Sequence, residues 1–439
     1  MASLNVGVSP ERETLERGAT RAAVERLSAI LGDDEVERRA RLDAFESFQR
    51  LPPPPWRLSR SLKRNLESID LERLIPFSTE GPSAEDYEAD ADSSPTRIVC
   101  VDGQAVSARL AAEVAAKGAY IAPLEAALRE RPDLVRANLG RVVANETHRF
   151  TALHAAFRRG GIVVYVPRGV VLEEPVEFRM IVDRAAGFPH LLIVADEDAS
   201  VRVIEQIESR PATGEGTRIL CSVREIVAAR GARIHHAALQ RLGDDVAEIA
   251  ILRASVNRDA TVEIAPVVLG GDIVKMDVEA SLDGEGADAH VLGGFFASER
   301  EAFDLASRIT HRAPHTTGNA VVLGAANGAG QAAFNGMISI QENGPGSESN
   351  LKSRTLLLSP KAHVDAVPGL EIANNDVKAY HGATIGEIDE ETLFFCQARG
   401  IAPDVARRMI ITGFFSPVVD AIPSLRARTW LQQHIEAKV

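Results

Sequence analysis

One repeating unit constrains this chain more than any other feature. From GGIVVYVPRGV (Gly160 to Val170) to about residue 388, short β-branched runs are separated by Gly, Asp and Asn, and helical spacing nearly vanishes. Within this stretch a small turn, an alanine and an alternating strand recur, as EDASVRVIE, RGARIHHAAL, RDATVEIAPV, EGADAHVLGG and PKAHVDAVPG. The alanines are Ala199, Ala232, Ala260, Ala287 and Ala362. The first three steps are 33, 28 and 27 residues, and the last gap of 75 has room for two or three further units, GQAAFNGMI among them. A period of about 30 residues in an all-β segment points to a solenoid, in which each coil buries its face only by stacking on the next. The alternative is a β-sandwich, whose strands would carry turn signals roughly every 8–12 residues without a longer repeat.

Both flanks read as helical. Residues 1–158 form an N-terminal region. There Ala23, Leu27, Ile30 and Leu31 share one helical face and Gly32 is a fit stop. Asp33 or Asp34 caps a second helix with Val36, Ala40, Ala44 and Phe48 at four-residue steps. LPPPPW (Leu51 to Trp56) ends it, because a proline run cannot donate helix hydrogen bonds. Residues 78–96 are acidic and poor in large apolar groups, the composition of a loop. After a turn at Val101 to Gln104, helix is expected from about 107 to 158. The β core occupies 159–388, and a C-terminal helical region 389–439 comes after it. In that last region Asp389 caps a helix with Glu390 and Glu391 in its first turn, and Gly400 stops it. Pro403 suits the first position of the next helix, and Ser416-Pro417 is expected to break it. Phe394, Phe395, Phe414 and Phe415 are many large apolar groups for short helices, so some should pack on the β core and some await a partner.

Composition excludes several functions. The net charge of -13 and the 5% aromatic content argue against a nucleic-acid surface, which needs clustered Lys and Arg or stacking rings. The three cysteines, Cys100, Cys221 and Cys396, are far apart, so no CxxC metal motif exists and a reducing compartment is expected. MASLNVGVSPERE has no apolar signal core, and no apolar run nears the roughly 18 residues of a membrane span. Cytoplasm is the expected location. There is no GxxxxGK[ST] and no Gly-Lys pair at all, so this chain brings no phosphate cradle and no nucleotide site of its own. HExxH and GxSxG are absent too.

Four groups of residues merit weighing. Lys275, Asp277 and Glu279 alternate along one strand and would share a face, as general acid–base cleavage of a polysaccharide on a β-helix requires. The plainer reading is a solvated face of alternating charge. His235 and His236 are adjacent in a strand and point to opposite faces. His311 and His315 flank Pro314 and are read as turn or core histidines, while His363 and His381 lie in the last two strands. Of the cysteines, Cys396 is read as packing beside Leu393, and Cys100 and Cys221 as structural.

The last third of the chain narrows the choice. LEIANNDVKAYHGATIGEIDEETLFFCQARGI (Leu370 to Ile401) closely resembles the C-terminal signature of the SufB/SufD family of iron–sulfur cluster assembly proteins. THRAPHTTGN (Thr310 to Asn319), GQAAFNGMISI (Gly330 to Ile340) and SESNLKSRTLLLSPKAHVDAVPGLEI (Ser347 to Ile372) resemble family segments in the same order. GGIVVYVPRGVVLEEPVEF (Gly160 to Phe178) resembles the start of the family's β core. The likeness covers about residues 140 to 420. The SufB type carries Glu-His-Glu where this chain has Tyr380-His381-Gly382, which is similar to the SufD type.

The resemblance implies a mainly β fold, a right-handed parallel β-helix core flanked by N-terminal and C-terminal α-helical regions. It implies a non-catalytic scaffold subunit that pairs with SufB through the β-helices. A SufC ATPase would sit on the C-terminal helices and supply the missing phosphate loop. It implies that His381 is an iron or cluster ligand at the SufB interface, the iron–sulfur cluster being transient and shared with SufB. A neutral imidazole nitrogen can ligate iron. Many relatives have a cysteine two residues before this histidine, and here that position is Ala379, so no thiolate is expected there. The rival readings are a carbohydrate-active enzyme using Asp277 and Glu279, and a homodimeric scaffold working without SufB.

Overall fold

The computed structural model describes residues 17–52, 66–78, 94–211 and 216–439. Pro53 to Trp56 and residues 79–93 of the acidic 78–96 segment lie outside them. Helix α1 (Arg21–Leu31) begins where the Thr20 side chain accepts from the Ala23 N–H, and ends at Gly32 with φ 67°. Asp34, not Asp33, caps α2 (Glu35–Arg50). The buried face of α2 holds Leu42, Ala44, Phe45 and Phe48, while Val36 is 63% exposed. Four-residue steps overshoot the turn by about 40° each, so a row begun at Val36 drifts off the buried face before it reaches Phe48.

The stretch expected as helix from 107 to 158 is broken up. Strands β1 (Arg97–Val101) and β2 (Gln104–Arg109) pair antiparallel around the predicted turn, where Asp102 and Gly103 take φ 47° and 79°. Then come α3 (Ala112–Ala116), β3 (Tyr120–Pro123), α4 (Leu124–Glu130), α5 (Pro132–Asn138) and α6 (Arg149–Phe157). β1 runs parallel to the first coil and β3 antiparallel to it, so tertiary pairing converts sequence with little strand signal into sheet.

Sixteen strands make the solenoid. They are β4 (Gly161–Val166), β5 (Val176–Val182), β6 (His190–Ala195), β7 (Ser200–Ser209), β8 (Arg218–Ala228), β9 (Arg233–Arg241), β10 (Val246–Val256) and β11 (Thr261–Val268). They continue with β12 (Ile273–Leu282), β13 (Asp288–Ala297), β14 (Ala302–His311), β15 (Thr317–Ala326), β16 (Gln331–Ile340), β17 (Ser347–Leu357), β18 (His363–Ile372) and β19 (Val377–Glu387). Odd strands stack in one sheet, β19-β17-β15-β13-β11-β9-β7-β5-β1-β2, and even strands in the other, β18-β16-β14-β12-β10-β8-β6-β4-β3. Every neighbour from β4 and β5 onward is parallel. This is a parallel β-helix of two sheets, each coil adding one strand to each.

Four of the five signature alanines form a vertical column at one edge. Ala199, Ala232, Ala260 and Ala287 each precede an odd strand and are fully buried, and each carbonyl accepts from the first N–H of the coil above. Thr316 and Ser347 continue the column. Ala362 is a correction: it precedes β18 in the even sheet, half a coil out of phase. Both edges of a coil need a tight turn followed by a small residue, so the same local pattern marks two columns.

The lumen is apolar through the middle coils, with Val262, Ile264, Met276, Val291, Phe295 and Phe303 in one buried cluster. Helices α1, α2 and α6 cover the first coils of the even sheet. The C-terminal helices α7 (Glu390–Gln397), α8 (Pro403–Asp420) and α9 (Leu425–Glu436) close the chain. α8 and α9 pack on the odd sheet through Ile411, Phe415, Val418, Leu431 and Ile435. Phe415 stacks on Phe296 at 6.2 Å. The predicted break at Ser416-Pro417 does not occur, because α8 runs on to Asp420. Pro417 leaves the Gly413 carbonyl without its usual N–H donor, and the Ser416 hydroxyl donates to that carbonyl instead at 2.9 Å.

Candidate functional site

The two ends of the β-helix differ. At the N-terminal end the antiparallel strands β2 and β3 finish the two sheets. β2 and β3 are edge strands, as are β18 and β19 at the other end, but at the N-terminal end Val114 of α3 also packs into the lumen cluster. An unpaired strand edge is a template for another chain. Val367, Ile372, Tyr380 and Ile385 are exposed on β18 and β19.

His381 lies in the middle of β19, opposite Leu351 of β17. Leu351 is fully buried in the lumen, and side chains in register on parallel strands point the same way, so His381 belongs to the inward row. Its row is Val377, Ala379, His381, Ala383 and Ile385. No coil lies above it, so the imidazole is exposed. It makes no hydrogen bond or ion pair with any described residue. A Cβ at the neighbouring Gly382 or at Gly386 would meet nothing within 4 Å. Among the described residues no group of three or more His, Cys, Asp or Glu side chains is arranged to hold a metal ion. One imidazole cannot complete a coordination sphere, so a metal held here would need ligands beyond those the described residues bring together.

The other sequence candidates fall elsewhere. His363 is outward on β18, its Nε2 at 3.1 Å from Asp365. His235 and His236 do point apart: His235 lies at 3.0 Å from Glu263 on the outer face, and His236 is buried in the lumen at 3.2 Å from Glu205. His311 is buried against Thr316 at 2.8 Å, and His315 sits in a turn with φ 55°. Lys275 is buried and paired with Asp304 at 2.9 Å, and lies 3.8 Å from Asp277. Glu279 pairs with Arg253 at 3.2 Å across the coils. Asp277 and Glu279 line a shallow cavity of about 150 Å³ with Arg253, Arg308 and Met337, and no aromatic ring stands there to stack on a sugar.

The cysteines divide. Cys100 is in the lumen core, and burial pushes its thiol up to about 12. Cys221 lies under the N-terminal helices with its Sγ 3.4 Å from the Phe150 carbonyl, and burial pushes its thiol up as well. Cys396 is half-buried beside the equally half-buried Leu393, on a helix α7 that has no fully buried residue.

Sequence reasoning missed a charged cluster inside the lumen. Glu205, Ser222, Arg224, His236, Gln240 and Glu248 come from β7 to β10 and are all at most 4% exposed. Arg224 donates to Glu205 and, at 2.7 Å, to Ser222. Burial works against the Glu205 anion, but Arg224 and His236 overcome it and hold its carboxyl at about 2. Glu248 accepts only from Gln240, at 2.8 Å, and burial pushes its carboxyl up to about 7. A periodicity cannot reveal this cluster, since each member merely occupies an apolar slot in its own strand.

Residues 178–414 match the family described as "SUF system FeS cluster assembly, SufBD core domain", and residues 35–178 match the "SufBD protein N-terminal region". The chain belongs to the SufBD family. It is 26% identical to the iron–sulfur cluster assembly protein SufB of Bacillus subtilis over 428 residues, covering 93% of this chain and 90% of that one. Iron–sulfur cluster assembly SufBD family proteins of Staphylococcus epidermidis and Staphylococcus aureus are similar at 27% and 26%, with the same coverage. The SufBD core match spans the solenoid from β5 through β19 and runs into α8, so it takes in both His381 and the helices behind it. Among the described residues no helix is long and apolar enough to cross a membrane.

Proposed function

We propose that this chain is the SufD-type subunit of an iron–sulfur cluster assembly scaffold in the cytoplasm, working without catalytic chemistry of its own. The observation that carries the reading is His381: an imidazole without a partner among the described residues, in the inward row of the last strand, where no further described coil stacks. The free edges of β18 and β19 take a SufB-type partner, whose side chains complete the ligand set. The nascent cluster is the cargo of that shared site, and His381 supplies one neutral nitrogen to it. Histidine donates less to iron than thiolate does, which suits a cluster that must be handed on.

A SufC-type ATPase docks on the C-terminal helices. In support, α7 buries none of its residues, and Phe394, Phe395 and Met409 are 69%, 56% and 54% exposed. That apolar surface comes directly after β19, so motion at the ATPase reaches the strand that carries His381.

Co-expression with SufB- and SufC-type partners, wild type against His381→Ala, tests this. Gel filtration reads the complex, and anaerobic iron and sulfide content reads the cargo. An intact complex that has lost iron and sulfide supports the reading. Unchanged loading removes His381 from the chemistry, and assembly of this chain with itself alone favours the homodimer.

A further inference from the structure

A cavity of about 330 Å³ lies between the α1–α2 pair and the α4–α5 pair, at the N-terminal end of the molecule where α1 and α2 cover the first coils. Its size is at the lower end of the range for small-molecule sites, about 300–1,000 Å³. Its lining carries four arginines, Arg41, Arg129, Arg136 and Arg158, and four carboxylates. The formal charges balance, but the partners do not. Asp33 accepts from Arg41 at 2.6 Å, Glu37 from Arg158 at 2.7 Å and Asp34 from Arg136 at 2.5 Å. Glu125 accepts from the Gly160 N–H at 2.5 Å. Arg129, exposed in the last turn of α4, makes no hydrogen bond or ion pair with any described residue.

Each carboxylate is thus engaged, and one guanidinium is not. A guanidinium presents five donors in a planar fork that fits a carboxylate with two parallel bonds. Arg136 gives one N–H to Asp34 and keeps others for a second acceptor. Deeper in, burial and then the neighbouring Arg41 lower the pKa of the Arg158 guanidinium. A further negative charge nearby favours that cation, as Glu37 and Asp33 already do.

The rest of the wall sets the class of ligand. Leu31, Leu124, Leu128 and Pro132 also line the cavity, an apolar surface for a short hydrocarbon body. Asp34 and Glu125 stand on the same wall, so a phosphate dianion meets like charge with only one cation uncommitted. A monoanion balances that one cation and leaves no excess charge.

We propose that this cavity binds a small organic monocarboxylate, its carboxylate taken by Arg129 with Arg136 and its hydrocarbon part by the leucines and Pro132. This is a second site, independent of the reading of His381. Arg129 lies on α4, Arg136 on α5 and Asp34 at the start of α2, so an occupant joins the two helix pairs across the cavity.

Isothermal titration of the full-length chain with butyrate tests this. Butyramide, which has nearly the same shape and no charge, and inorganic phosphate are titrated beside it. The expected result is saturable one-to-one binding of butyrate with a Kd of about 1 mM or tighter, an ordinary value for a ligand of that size. Butyramide and phosphate should not saturate. Arg129→Gln should weaken butyrate about tenfold, as loss of a charge-assisted contact implies. Arg129→Lys, which keeps the charge without the fork, should fall between. Arg129 has no described partner, so both variants should melt with wild type, and His381→Ala should bind butyrate unchanged. The inference is overturned by no saturable butyrate binding, by equal binding of butyramide, or by wild-type binding in Arg129→Gln. Phosphate binding more tightly than butyrate overturns it too, since the site would then select charge and not a carboxylate. None of these outcomes touches the reading of His381.

Discussion

His381 stands directly over Leu351, one coil further along the same inward row. Leu351 is fully buried and His381 is exposed, because β19 covers the first and no described strand stacks on the second. The last coil thus presents, as surface, the side chains that every earlier coil hides.

Replacing His381 with Ala should therefore change cargo and not fold. The imidazole has no described partner, so the variant should melt within about 0.5 kcal/mol of wild type, as surface substitutions do. Thermal melts of the isolated chain check this, and a large loss of stability would mean that the histidine packs against something.

Arg224 should be the most sensitive charged position. Truncation to Ala leaves Glu205 as a buried carboxylate with only His236 beside it, and breaking a buried pair in this way costs about 3–5 kcal/mol. Equilibrium urea unfolding measures it. Arg224→Met together with Glu205→Gln should recover part of the loss.

Glu248 makes stability depend on pH. Its carboxyl is pushed up to about 7 from 4.5 in the open chain, so the folded state binds the extra proton between those values. Its contribution to stability is therefore lost as pH rises through that window, by on the order of 3 kcal/mol. Glu248→Gln keeps the bond from Gln240 and should remove this slope. His148 and His311, held down to about 4 by burial, act in the opposite sense, and their contribution is lost as pH falls from 6.5. The difference between wild type and Glu248→Gln from pH 5 to 8 isolates the carboxyl, and a flat difference would show that Glu248 does not titrate there.

Gly324 should resist even a methyl group. A Cβ there would lie 2.1 Å from the Phe295 ring. Gly324→Ala should cost about 1–3 kcal/mol by overpacking the lumen. Combining it with Phe295→Leu should recover stability, and denaturant midpoints of the three variants decide the matter.

How much of this was legible depends on the range of the interaction. The alanine column could be read because each coil repeats one turn, and Ala199, Ala232, Ala260 and Ala287 do stack. The caps at Asp34 and Asp389 were legible too, since a cap is made by residues three apart in sequence. The strands at 97–109 were not, because the β1–β2 hairpin joins the sheet through β5, about 80 residues away. The incomplete burial of Cys396 was hidden for the same kind of reason. Leu393 and Cys396 share a helical face, but the packing of α7 leaves both only half-buried.

The sequence by itself determined a stack of coils with helices at both ends, a family, and one histidine in the final strand. Periodicity carries this much because the covalent chain imposes it coil by coil. The tertiary structure alone decided that Ala362 belongs to the second sheet and that Arg224 and Glu205 meet in the lumen. It also decided which end of the stack is open. Those facts come from register between coils, where a shift of one residue turns every side chain from the lumen to the outer face, and no single coil records its neighbour's register.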